Sequence, residues 1–303
     1  MASASLSKWW KMPRTQYTVD YHLICVIYLS DRVPSSDSIA QLWTALAALG
    51  DLPVESSIFC NDGKTYNLAD SVLGSFKLNE LLLDKADEVI SVGASSFKSA
   101  AKNAVLDSDV NFGFGRNQIW DGQQGPAVLY LSISGQIIDQ AGLHIVVDIL
   151  RQFFNVADSY SPIYGLVDLA RPDDAFAGMI YGAAWPRTAS LARWVEQMNW
   201  VYSGAVKEDR LRGLYWGNYL SRKHLNRLGG RDKFLATCAK NARNYDGSPN
   251  AHIWDLPNGC FVSLSYDPIY CRPGCPMGIH PAAEANLKWL IRELGTSGVL
   301  NLW

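Results

Sequence analysis

The sequence predicts an α+β protein: a largely antiparallel sheet, or sheets, with helices packed against it. Three observations predict it. Apolar runs of period two alternate with runs of helical period. Strand-like segments are joined in some places by hairpin-length loops and in others by helices. The regular strand–helix–strand beat of a parallel sheet is absent. Proline and glycine are spread along the chain without a linker. It is therefore either one compact domain or two associated lobes, an acidic N-terminal lobe over 1–160 and a C-terminal lobe over 161–303.

Taken in order, residues 22–29 (His-Leu-Ile-Cys-Val-Ile-Tyr-Leu) form an apolar run that reads as a buried strand, closed by Asp31-Arg-Val-Pro34. The Ser35-Ser-Asp-Ser38 cluster supplies N-caps to a helix carrying Ile39, Leu42, Trp43, Leu46 and Leu49, stopped by Gly50. Helical spacing recurs over 77–90, through Leu78, Leu81, Leu82, Ala86, Val89 and Ile90. It returns over 96–106, through Phe97, Ala100, Ala101, Ala104 and Val105. Strands near 109–115 and 126–134 flank a polar loop with Asp121-Gly122 and suggest a long-looped hairpin. One long helix is expected over 136–154, with Ile138, Ala141, Ile145, Ile149 and Phe153 along one side.

In the second half, residues 161–168 suggest a strand, and Pro186 opens a helix with Leu191, Trp194, Val195, Met198 and Val201. The segment 212–221 reads as a strand whose Ser221 caps a short helix ending at Leu228-Gly-Gly230. Another helix, 231–241, carries Phe234, Leu235 and Cys238. The clearest hairpin sets 251–256 against 260–266 around Pro257-Asn258-Gly259, with Asn-Gly expected at positive φ. Pro281 opens a last helix with Leu287, Leu290, Ile291 and Leu294, stopped by Gly295.

Composition narrows the function. The 303 residues are 48% hydrophobic and 18% charged, with 27 basic and 29 acidic side chains and a net charge of −2. Such a chain has ample material for a core and lacks the low hydrophobicity and high charge of a disordered protein. It offers no bulk basic field for nucleic acid, and nucleic acid is not the expected partner. Charge is nonetheless uneven. Residues 1–170 hold 11 basic and 18 acidic side chains, and residues 171–303 hold 16 and 11. The start, Met1 to Trp10, is polar and Ser/Ala-rich, and no apolar run approaches the ~20 residues of a membrane span, so a cytoplasmic location without membrane association is expected.

Catalytic motifs are missing. Asn111-Phe-Gly-Phe-Gly-Arg116 has two glycines at GxG spacing, but Gln118 stands where a dinucleotide fingerprint needs glycine, and the segment reads as a strand. There is no Walker-type loop, nucleophile elbow or HExxH helix. Six cysteines are too sparse for a disulfide scaffold, and a buried thiol such as Cys25 acts as a small hydrophobe. Cys260, Cys271, Cys275 and His280, with His252 across the hairpin, form a weak zinc candidate with a three-residue spacer in Cys271-Arg-Pro-Gly-Cys275. Against it, Cys260 falls in an alternating strand and points toward a core, and 271–276 reads as an ordinary turn. No cofactor is expected. Arg222, Lys223 and Arg227, on the short helix after Ser221, cluster near one face and could touch phosphates, or simply form a solvated helix face.

Residues 213–230 (Gly-Leu-Tyr-Trp-Gly-Asn-Tyr-Leu-Ser-Arg-Lys-His-Leu-Asn-Arg-Leu-Gly-Gly), then Asn250-Ala-His-Ile-Trp-Asp-Leu-Pro-Asn-Gly259, the strand from Cys260 and Asp267-Pro268, carry a resemblance. Over about 210–270 the chain resembles the immunity protein 52 family of bacterial polymorphic-toxin and type VI secretion immunity proteins. The resemblance implies an α+β antitoxin that protects the producing cell by binding a cognate toxin with a restriction-endonuclease-like nuclease domain. It implies no catalytic residues and no enzymatic activity. Tyr215 and Trp216 alternate faces, so at least one should pack in the core; Gly217 should permit close approach of a neighbour, and Gly229 should stop a helix.

A nuclease must present a positive cleft to DNA, so an inhibitor gains from acidic and aromatic groups. The acidic half offers Asp84, Asp87 and Glu88 on the solvated side of the 77–90 helix, Asp107 and Asp109 before a strand, and Trp120-Asp121 in a polar loop. Two rival functions remain open at this stage: an enzyme of unrecognised type using the Cys/His cluster, and a nucleic-acid-binding module using the basic C-terminal half.

Overall fold

The computed structural model describes residues 22–30, 34–49, 54–60, 65–68, 89–97, 108–118, 124–170, 210–211, 213–243, 252–268 and 281–300. Their strands are β1 (His22–Leu29), β2 (Val54–Cys60), β3 (Thr65–Leu68), β4 (Val89–Phe97), β5 (Ser108–Gln118), β6 (Gln124–Ser134), β7 (Pro162–Ala170), β8 (Gly217–Ser221), β9 (Ile253–Leu256) and β10 (Gly259–Ser263). The helices are α1 (Ser36–Leu46, extended by a 3-10 turn to Leu49), α2 (Gly135–Ala141), α3 (Leu143–Asp158), α4 (Arg222–Arg227), α5 (Arg231–Asn241) and α6 (Pro281–Thr296).

All ten strands belong to one antiparallel sheet, in the order β3-β2-β4-β5-β6-β1-β7-β8-β10-β9, so the fold is α+β. β1 lies inside it, paired with β6 through Cys25↔Leu131 and with β7 through Cys25↔Val167. Because β6 and β7 are both antiparallel to β1, they run parallel to each other. The α2–α3 connection must therefore cross over β1. This explains the uninterrupted apolar run of 22–29: every residue of β1 is buried, with side chains pointing alternately to two covered faces.

Helix α3 covers one of those faces. Its apolar stripe, Val146, Ile149, Leu150, Phe153, Phe154 and Ala157, has the spacing of a single helix face and is fully buried. Phe153 meets Phe112 of β5 edge-on at 5.4 Å, and Phe154 packs on Phe261 of β10 at 4.8 Å. Gly165 of β7 permits this closure, since a Cβ there would lie 3.0 Å from Phe154 and 3.3 Å from Ile27. Helix α1 packs in turn against α3 through a face that buries Ile39, Leu42 and Leu46. On the other face Tyr28 stacks on Tyr164 at 4.6 Å.

Several elements differ from the sequence expectation. The helix expected over 136–154 is two helices, because Gly142 adopts φ 89 and its N–H turns back to Ile138 O at 2.9 Å. Apolar periodicity continues across that break and hides it. Val89 and Ile90, expected to end a helix, open β4, and Phe97, expected within another helix, ends it. The remainder of those two expected helices, and the one after Pro186, lie outside the described residues. The strand expected over 212–221 pairs only from Gly217, because the Asn218 side chain binds the backbone of Tyr215. Its Oδ1 accepts from Tyr215 N (3.0 Å) and its Nδ2 donates to Tyr215 O (2.9 Å).

At the β9–β10 turn the central pair is Pro257-Asn258, since Leu256 pairs with Gly259, and neither Asn258 nor Gly259 has positive φ. Gly259 is needed instead for close packing: a Cβ would sit 2.3 Å from the Tyr219 ring and 2.6 Å from Leu220 O. Helix α6 passes Gly295 and ends at Thr296, beyond which Gly298 takes φ 70.

The segment 213–230 behaves as a fold signature. Tyr215 and Trp216 are both buried, and Trp216 Nε1 donates to Ser265 O at 3.0 Å. A Cβ on Gly217 would strike Phe261 at 2.4 Å, and Gly229, at φ 87, ends α4. Asn286 of α6, almost fully buried, ties that helix down by donating to Arg243 O (2.8 Å) and Leu264 O (2.7 Å). Among the described residues no helix is long and apolar enough to cross a membrane.

Candidate functional site

At one end of the sheet β1 finishes, β7 begins, β8 finishes and the β9–β10 turn folds over. These ends enclose a cleft of about 360 Å³ lined by Ser30, Ser161, Pro162, Ile163, Ser221, Arg222, Lys223, Asn226 and Asn258. Pro162, Ile163 and Ser221 are its buried members, whereas Arg222, Lys223 and Asn226 are exposed.

Local sequence explains how the cleft is held. Ser221 caps α4: its N–H donates to His224 Nδ1 at 3.0 Å, and its hydroxyl lies 3.1 Å from the same atom. Accepting the backbone N–H requires an unprotonated Nδ1, so the buried imidazole works here as a cap. This turns the chain sharply and leaves Arg222 and Lys223 at the cleft. Arg227, grouped with them in the sequence, instead donates to Gly298 O at 3.2 Å and does not line the cleft.

Beneath the turn lies Asp158, the last residue of α3, only 1% exposed. Its Oδ1 accepts from the Tyr219 hydroxyl at 2.6 Å, its Oδ2 accepts from Asn258 N at 2.8 Å, and its carbonyl accepts from Asn258 Nδ2 at 2.9 Å. Asn258 is thus fixed at both backbone and side chain, and its Oδ1 receives Arg222 Nη2 at 3.0 Å. Burial first, then the hydrogen bond to Asp158, pushes the Tyr219 phenol far above its ordinary range and keeps it a hydrogen-bond donor.

The opposite rim is held by Tyr160. Its hydroxyl accepts from Ser35 N (2.9 Å) and lies 2.6 Å from Ser38 Oγ, while Ser30 Oγ donates to its carbonyl. Burial pushes this phenol up, but the hydrogen bonds from Ser35 and Ser38 outweigh it and leave the group below its ordinary value. The adjoining Ser161 has φ 51, a left-handed conformation uncommon outside glycine. Pattern reasoning on the sequence finds the cations of this cleft. It misses Asp158, Tyr219, Asn258 and Ser161, which come together only through the β7–β8–β10 pairing.

Of the acidic residues singled out for partner binding, Asp84, Asp87, Glu88, Asp107, Trp120 and Asp121 lie outside the described residues, and Asp109 is placed within β5. Of the zinc candidate, Cys271, Cys275 and His280 also lie outside. Cys260 is buried in β10, opposite Leu220 and Asp255, and its thiol is pushed up to about 12, mainly by burial. His252 packs instead with Trp216, Trp254 and Tyr266, at centroid distances of 5.9, 6.2 and 5.0 Å. Its Nε2 lies 2.8 Å from Tyr266 O. Trp254 stacks on Phe261, which alternates with Cys260, so His252 and Cys260 sit on opposite faces of the hairpin. Among the described residues no cluster of three or more His, Cys, Asp or Glu side chains could hold a metal ion. Cys25 and Cys238 are buried as well, with thiols pushed well above the ordinary range by desolvation, so none of the three described thiols is poised as a nucleophile.

No protein-family model and no curated relative matches the chain. Among solved structures, a Pseudomonas aeruginosa protein described as T6SS protein PA0821 is similar, with a TM-score of 0.54 and 16% sequence identity. The match covers 90% of this chain and 73% of that one. At that identity the likeness establishes a shared fold.

Proposed function

We propose that this chain is an antitoxin of the type VI secretion context, a cytoplasmic immunity protein that neutralises a cognate nuclease effector by stoichiometric binding and has no catalytic activity of its own. The observation that carries the reading is the fold shared along most of the chain with a protein of that secretion system. It agrees with the separate resemblance of residues 213–230 and 250–268 to the immunity protein 52 family. In the described part of that stretch the structure spends the distinctive residues on folding: Trp216 and Gly217 on core packing, Ser221 and Gly229 on the ends of α4. Recognition of the toxin then belongs to other surfaces, among them the acidic residues of the N-terminal half.

The experiment that tests this is co-expression with the protein encoded beside it. Rescue of growth, with both chains recovered in one complex, is the expected result. Persistent toxicity with this chain soluble and abundant would overturn the reading.

A further inference from the structure

We propose that the cleft at the ends of β1, β7 and β8 is a binding site for a small phosphate monoester. The proposal does not rest on toxin binding. Arg222 is its centre. The guanidinium is oriented by a neutral acceptor, Asn258 Oδ1, which is itself anchored through the buried Asp158 to Tyr219. Among the described residues Arg222 makes no ion pair, whereas Arg231, at the next helix, is closed by Asp255 at 2.5 Å. A guanidinium held in place without being neutralised keeps its charge and most of its planar fork for an external oxyanion, and this preorganisation lowers the cost of binding.

The rest of the lining fits the same chemistry. Lys223 adds a second cationic side chain, and among the described residues no Asp or Glu lines the cleft, which suits a dianion better than a single carboxylate. Ser30, Ser161, Asn226 and Asn258 surround the cations with hydroxyl and amide groups, while the buried Pro162 and Ile163 give an apolar surface for a carbon body. About 360 Å³ exceeds what one inorganic ion fills and lies at the lower end of small-molecule sites. Asp158 does not oppose the ligand, since it is 1% exposed and both its oxygens are taken by Tyr219 and Asn258.

Titration of the full chain with ribose 5-phosphate, inorganic phosphate and plain ribose tests the assignment, using calorimetry and phosphorus NMR. The chains compared are the wild type, Arg222→Gln/Lys223→Gln and Arg231→Gln. Both cleft side chains are exposed, and unchanged circular dichroism verifies folding of the double variant. The expected result is saturable binding of ribose 5-phosphate, tighter than inorganic phosphate, and none of ribose. Affinity should fall about tenfold or more in the double variant and stay unchanged in Arg231→Gln. Binding should also weaken below pH ~6, where the dianion takes up a proton and becomes a monoanion. Failure of both phosphates to bind at millimolar concentration would overturn the proposal. So would equal weakening by Arg231→Gln, which would mark diffuse charge. Loss of a protein partner from the double variant without any phosphate binding would assign the cleft to an acidic side chain and overturn it too.

Discussion

Replacing Asp158 by Ala should destabilise the protein more than any surface substitution. The carboxylate is buried and accepts two hydrogen bonds, from the Tyr219 hydroxyl at 2.6 Å and Asn258 N at 2.8 Å. A hydrogen bond to a charged group contributes about 1.5–3 kcal/mol, and a buried donor left without an acceptor costs about 1–3 kcal/mol. Tyr219 is fully buried, so its hydroxyl bears the full penalty. Asn258 is half-exposed, and water can replace part of what its N–H loses. The sum for Asp158→Ala is about 3–4 kcal/mol. Tyr219→Phe loses one of the two bonds and should cost about 1.5–2 kcal/mol. Together the substitutions should cost about 2–3 kcal/mol, less than Asp158→Ala alone, because the orphaned hydroxyl is gone, leaving a coupling of about 2.5–3 kcal/mol. Urea unfolding of the four proteins measures the cycle. Strict additivity would mean that Asp158, Tyr219 and Asn258 do not form one network. The same Asp158→Ala variant should also weaken ribose 5-phosphate, although Asp158 does not line the cleft, because Asn258 would no longer hold Arg222.

Three further outcomes follow from particular contacts. Gly259→Ala should cost about 2–3 kcal/mol in the same unfolding assay, because its Cβ would meet both the Tyr219 ring and the rigid Leu220 carbonyl. His252 is buried, and desolvation lowers its pKa below 6.5 despite the contact with Tyr266 O. The unfolded chain therefore binds the proton first, and stability should fall as pH drops from about 6.5 toward the folded value. His252→Gln should flatten that part of the stability profile. Finally, Cys25, Cys238 and Cys260 should stay unmodified when the native protein is treated with iodoacetamide and mapped by mass spectrometry, and should react only in denaturant.

The sequence was legible where local rules decide structure. The strand 22–29, the helix 231–241 and the cap at Ser221 follow from apolar period, start signals and glycine stops, and the structure places them at those residues. Positions decided by distant partners were not legible. β1 gives no local sign that it lies between β6 and β7, because that follows from pairings 100 or more residues apart in sequence. β2 and β3 carry alternation too weak to predict a strand; the β-branched pair Val89-Ile90 fits a helix face as readily as the start of β4. At the cleft, Arg222 and Lys223 were visible as charge. The Asp158–Asn258–Arg222 relay spans α3, a turn and α4, so no pattern of spacing could reveal it.

Titration of a cognate nuclease with this chain is a direct test of the proposed inhibition by stoichiometric binding. With the nuclease well above the dissociation constant, DNA cleavage should fall linearly and reach zero near a fixed molar ratio of the two chains, with intact toxin recoverable from the complex. Cleavage unaffected by an excess of this chain would rule out stoichiometric inhibition. Inactivation by a small fraction of one equivalent would contradict it as well, because it would mean this chain acts as an enzyme on the toxin.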